Sequence, residues 1–195
     1  AASCNHSGQV AAALVAERRF TEAASPWRSD FLRALASSAA TDGLEKDVGA
    51  ALRALGFDKG KLLWWKPALL QGLSEGLPKS GGKLGVKSLA ELTSKPPAAY
   101  KEAAAEIASL LAEVDKVMVD ASAPMEQRLA CLPLLTQRTW DKAEPVMRAM
   151  LADGPPTEIS TAALALFKKF AADKTAPLLY ELLPKLGPAQ RAHVV

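Results

Sequence analysis

"GPPTEISTAALALF" (Gly154–Phe167) and, 32 residues earlier, "SAPMEQRLACLPLL" (Ser122–Leu135) are one phrase written twice. Each has a proline (Pro156, Pro124), a glutamate two places on (Glu158, Glu126), an alanine six places after the proline (Ala162, Ala130), and then leucines. The interval recurs. Pro124, Pro156 and Pro188 are each 32 residues apart, and so are Pro145 and Pro177. "VMRAML" follows Pro145 and "LLYELL" follows Pro177. A fixed period of this size marks a small supersecondary unit repeated along a chain.

The unit reads as two helices. "AEPVMRAML", a turn and "PPTEISTAALALFKKF" make one; "TAPLLYELLPKL", a turn and "PAQRAHVV" make the next. Each helix carries a single apolar stripe. Ile159, Ala162, Ala163, Leu166, Phe167 and Phe170 form one, and Leu178, Leu179, Leu182 and Leu183 another. A lone helical pair cannot cover such stripes, but stacked pairs can. If Leu179 faces the next pair, Leu179→Ala is expected to cost about 2–5 kcal/mol.

Composition extends this reading to the whole chain. Among 195 residues, 49% are apolar and 23% charged, as in an ordinary folded domain. Alanine and leucine dominate and aromatics are 6%, which is a helical vocabulary because Ala and Leu lose little side-chain freedom in helices. Val, Ile, Thr and Tyr never gather into alternating runs, so strands are not expected.

Toward the N-terminus the segments read as helices separated by breakers. Val10, Ala13 and Leu14 share a face within Gln9–Phe20. In "SPWRSDFLRALASS", Pro26 suits a first turn, and Phe31, Leu32, Leu35 and Ala39 lie to one side. Leu44, Val48, Ala51, Leu52 and Leu55 mark a third helix, with Gly56 as its stop. Leu62–Leu73 is a fourth. From Ala98 to Val119 the spacing of Tyr100, Ala103, Ala104, Ile107, Leu110, Leu111, Val114, Val117 and Met118 predicts the longest helix. Between these lies "GLPKSGGKLGVKSLAELTSKPP", which reads as a loop with one helical turn near Ser88–Leu92. The expected organisation is a helical half over 1–76, a Gly/Pro/Lys-rich linker over 77–97, and helix pairs over 98–195.

The order Ala-Pro-x-Leu/Met-x-x-Leu-Leu, turn, Pro-x-Glu/Gln, Ala resembles HEAT-type repeats, best over Met125–Val195. That family unit is usually slightly longer, and often carries an Asp in the turn and an Arg early in the second helix. Asp153 and Arg191 fit those places, although neither recurs in every unit. The resemblance implies an all-α fold, a right-handed α-solenoid of antiparallel helix pairs of the HEAT or ARM type. "SPWRSDFLRALASS" and "LLQGLSEGL", followed by the C-terminal units, are also similar to the helical repeat region of large exported planctomycete-type proteins. There, a dehydrogenase-like propeller precedes the repeats and a c-type cytochrome domain follows. That likeness implies a spacer in an exported or periplasmic protein. The residues do not otherwise place the chain in a compartment.

Catalytic and ligand motifs are scarce. Cys-x-x-Cys-His is absent, and Cys4-Asn5-His6 has the wrong spacing for haem attachment. His6 and His193 stand near opposite ends without partners at metal-ligand spacing, and Cys4 with His6 reads as a chain terminus. In "GLPKSGGKL" the spacing Gly76 to Gly81 begins a phosphate loop, but Gly82 occupies the lysine position and Leu84 follows Lys83. Carboxylates are scattered singly, with Glu102, Glu106, Glu113 and Asp115 on the wet face of the long helix. Cys131 falls in an apolar pattern and reads as a small core residue. No catalytic residue, cofactor site or metal site is expected, and no small-molecule substrate is evident.

Net charge is +3, from 24 basic and 21 acidic residues. That balance, with acids spread along every helix, argues against the alternative of a nucleic-acid-binding repeat protein. No apolar run reaches the roughly 18 residues that span a bilayer. The expected role is a non-catalytic scaffold or spacer that docks a protein or a flanking domain. Trp64 and Trp65 differ by about 100° around a helix, so one should be core and the other a partly exposed anchor. With Lys83 and Lys87 from the positive linker, they are the candidate interaction residues.

Overall fold

The computed structural model describes residues 6–59, 61–152, 154–187 and 191. Among them every regular element is helical, with no strand. No helix among the described residues is long and apolar enough to cross a membrane. Two compact units are present, Ala1–Glu113 and Val114–Val195.

The first unit contains α1 (Ser7–Ala16), α2 (Arg18–Thr21), α3 (Pro26–Asp42), α4 (Glu45–Leu55), α5 (Trp65–Gly76), α6 (Leu89–Ser94) and the start of α7 (Lys101–Val119). Short 3-10 turns occupy Leu77–Ser80 and Ala98–Tyr100. Its centre is the crossing of α3 and α5, built from the smallest residues available. A β-carbon on Gly72 would lie 2.2 Å from the Arg33 carbonyl oxygen and 2.7 Å from Ala36 Cβ. Leu32, Ala36, Ala39 and Ala40 form the buried face of α3. So close a crossing admits only alanine between the backbones and turns large side chains away. Phe31, expected on the same side as Leu32, is instead 45% exposed. Gly8 of α1 meets the Asp47 carbonyl of α4 in the same manner, at 2.2 Å from its would-be Cβ.

Residues 77–97, expected as a linker, carry structure that packs within this unit. Leu77, Leu84, Val86, Leu89 and Leu92 are all buried. The glycines there serve backbone shape: Gly81, Gly82 and Gly85 have φ of 67°, 82° and 69°, which L side chains rarely adopt. Ser88 caps α6 by accepting from the Glu91 N–H at 3.1 Å, and the Glu91 carboxylate accepts from the Lys87 N–H at 2.7 Å. This reciprocal pair resembles a capping box with its return bond displaced by one residue.

The second unit contains the end of α7, α8 (Met125–Cys131), a 3-10 stretch (Leu132–Gln137), α9 (Trp140–Ala152), α10 (Thr157–Phe167), α11 (Ala172–Leu182) and a closing 3-10 turn (Leu183–Lys185). The 32-residue interval of the sequence is an interval of structure. α8 and α10 begin at Met125 and Thr157; α9 and α11 begin at Trp140 and Ala172. Pro124 and Pro156 occupy the same cap position, with backbone angles near −50° and +140° in both. Burial repeats too: Arg128 with Ser160, Cys131 with Ala163, Leu132 with Leu164, and Leu135 with Phe167. α8 and the 3-10 stretch pack on α10, and α9 packs on α11. The copies diverge where Pro133 lacks the N–H for an α-helical bond, so the chain tightens to 3-10 where its counterpart Ala165 continues the helix. Pro145 and Pro177 sit at matching places inside α9 and α11, and both are exposed. Pro188, Asp153 and most of "PAQRAHVV" lie outside the described residues.

Candidate interaction surface

The four residues singled out from sequence fall in three different settings. Trp65 is buried in the core of the first unit. Trp64 is half-buried, and its indole Nε1–H donates to the Thr21 carbonyl at 3.0 Å. Lys83 is exposed but engaged at the end of α3. Its Nζ donates to the Asp42 carbonyl at 3.2 Å, and its stem lies against Gly43, the left-handed C-cap residue. A cation there complements the helix dipole and one unsatisfied carbonyl. Lys87 is exposed beside the cap of α6.

Trp64 belongs to an aromatic group that the sequence reading did not assemble. Its ring lies 6.2 Å from that of Phe20, and Phe20 meets Trp27 edge-on at 6.1 Å. The Arg28 guanidinium stands 5.4 Å from both the Phe20 and Trp27 ring centres. Its Nη1 donates to the carbonyls of Phe20 (3.0 Å) and Ala23 (2.8 Å). Arg28 and Trp64 thus tie the turn before α3 by its backbone and leave ring faces outward. Trp27 is 61% exposed, and Phe31, one helical turn further along α3, extends the same apolar surface. The signal was present in the sequence as Trp27 and Phe31 four residues apart. It was obscured because large apolar residues are ordinarily assigned to the core.

Lys66 and Cys131 are buried titratable groups away from this surface. Lys66, fully buried in α5, donates to the Asp58 carbonyl at 3.2 Å and lies 4.0 Å from Glu106. Burial lowers its pKa, against the opposing pull of Glu106 and Asp58. In the second unit, burial and then the Asp115 charge push the Cys131 thiol up to about 12. Asp115 is paired with Arg138, and burial raises its own pKa against that pairing. A thiol held protonated is a core group and a weak nucleophile. Among the described residues no three His, Cys, Asp or Glu side chains cluster closely enough to hold a metal ion. Cys4 and His193 lie outside the described residues.

No protein-family model, curated protein or solved structure matches the chain.

Proposed function

We propose that the chain is a non-catalytic helical-repeat scaffold that docks a protein partner or a flanking domain through the Trp27–Phe31 surface. The observation that carries the reading is the outward exposure of Trp27 and Phe31 over a base of Phe20, Arg28 and Trp64. Phe20 packs against both Trp27 and Trp64, and Arg28 Nη1 and Trp64 Nε1 donate to local carbonyls. Such a surface offers apolar area with little ordering cost, and Trp with Arg is the composition of an interface centre. The 32-residue pitch of the second unit, with like helices packed on like, supports a HEAT-like array of antiparallel pairs wound as a right-handed superhelix. In a larger exported redox protein, such a rod would set the spacing of the modules it joins.

The test places a photo-reactive amino acid at position 27, with position 180 as an exposed control. The captured partner is then purified and titrated against the wild type and the Trp27→Ala/Phe31→Ala double variant. Loss of about tenfold or more in affinity with an unchanged unfolding midpoint supports the reading. Equal capture at both positions, or equal affinity of the two proteins, overturns it.

A further inference from the structure

Independently of the Trp27–Phe31 surface, the second unit carries an open groove of about 250 Å³ where the end of α10 meets the start of α11. Leu164, Phe167, Phe170, Ala172 and Leu179 line it, and Lys168 is the one charged residue among the lining residues. Its volume falls below the roughly 300–1,000 Å³ of small-ligand sites, so the occupant to consider is a side chain or two.

The 32-residue interval supplies a comparison inside the same unit. One step earlier, the lining positions are Leu132, Leu135, Arg138, Trp140 and Met147, where the 3-10 stretch meets α9. That earlier place is covered. α10 packs on the 3-10 stretch, and the Trp140 ring meets Phe167 at 5.9 Å and Phe170 at 5.1 Å. Leu132, Leu135, Trp140 and Met147 are all buried. One step later, Leu164 and Phe167 stay buried as a floor. Ala172 and Leu179, at the places of Trp140 and Met147, are exposed and half-buried.

The exchange of Trp140 for Ala172 also decides what fits. In the earlier copy, α9 supplies an indole and the covering segment supplies two phenyl rings. In the later copy, α11 supplies only a methyl group, so a helix laid there must bring the larger rings itself to fill the same space. A second copy of the chain is poorly suited to do so, because its own Phe167 and Phe170 are already engaged with Trp140.

We infer that this groove seats an amphipathic helix of a partner protein, laid over it as α10 lies over the 3-10 stretch. That helix presents two large aromatic side chains three residues apart, directed at Ala172 and Leu179.

The experiment is an amide-resolved NMR titration of the full chain with synthetic peptides that copy residues 155–170. One has the native sequence, a second carries Phe170→Trp, and a third carries both Phe167→Ala and Phe170→Ala. Saturable shifts over residues 164–180 are expected. Binding should be tightest for the tryptophan peptide, since its indole takes the space beside Ala172, and about tenfold or more weaker for the alanine peptide. Ala172→Arg in the protein should abolish the shifts by filling the groove from an exposed position, with the unfolding midpoint unchanged. Tyr180→Ala, at an exposed position of α11 outside the groove, should leave them as they are. The inference is overturned if no peptide gives saturable shifts there, or if the alanine peptide binds as well as the aromatic ones. Shifts that fall instead on residues 125–147, through exchange with α10, overturn it too. Self-association of the free chain that Ala172→Arg removes would assign the groove to a second copy, and so would also overturn it.

Discussion

Gly76 lies so close to Ser37 that a β-carbon on it would stand 2.3 Å from the Ser37 carbonyl oxygen. Gly72 meets Arg33 in the same way one turn earlier. Alanine would raise helix propensity by about 1 kcal/mol at either site, but the obstacle is backbone and cannot swing aside. Gly72→Ala and Gly76→Ala should each destabilise the protein by about 2 kcal/mol or more, read as a lowered urea midpoint. Gly49→Ala is the contrast. Its neighbour is the movable end of Arg53, so the same substitution should be neutral or stabilising by up to about 1 kcal/mol.

Leu178 and Leu179 separate what the sequence stripe joined. Leu178 is buried, whereas Leu179 is half-buried along the rim of a shallow apolar groove with Leu164 and Phe167. Leu178→Ala should cost about 2–5 kcal/mol, and Leu179→Ala distinctly less. Denaturant unfolding of the two variants side by side reads the difference. Equal losses would place both side chains in the core.

Cys131 should impose an alkaline limit. Its thiol stays protonated in the fold up to about 12, whereas in the unfolded chain it ionises near 9.0. Between those values the unfolded state has lost a proton that the folded state keeps. Stability therefore falls as pH rises through that window, by up to about 1.4 kcal/mol per pH unit. The decline should be shallower in Cys131→Ala, after allowance for its constant loss of packing. Parallel pH profiles for the two proteins would count against a buried neutral thiol.

Lys66 acts with the opposite sign. Its folded pKa is lowered, so between that value and 10.5 the unfolded chain binds more protons and stability rises with pH. The stability of the wild type relative to Lys66→Met should increase toward pH 10.5 and level off above it. Taking the difference removes the contribution of Cys131. A flat difference across that range would mean that the ammonium is not desolvated.

The helices and the 32-residue repeat were legible because both are periodic, and periodicity survives without knowledge of neighbours. Pro124 and Pro156 were noticed by that interval, and each proves to precede a helix start. The face of α3 was legible at Leu32 and Ala39 and misread at Phe31. The alanines Ala36 and Ala40 are buried against Gly72 and Gly76, more than thirty residues away in sequence. The same distance in sequence hid the aromatic group, because Phe20, Trp27 and Trp64 come from three segments. Residues 77–97 read as a linker because turn glycines dominate them, while the leucines that dock them are spaced too irregularly to show a period. Nothing in the sequence marked Tyr100 as more than one apolar position in a long helix, since an unpaired hydroxyl is a property of its surroundings.

Met125 and Thr157 open corresponding helices, as do Trp140 and Ala172, and several inward positions of the second unit, such as Cys131 with Ala163 and Met150 with Leu182, have a buried counterpart one fixed step along. In the proposed array, a splice that adds or removes one whole step would return these side chains to like neighbours. A chain built on that plan would grow by duplication in discrete quanta, like links in a watch strap, without negotiating a new interior for each added link.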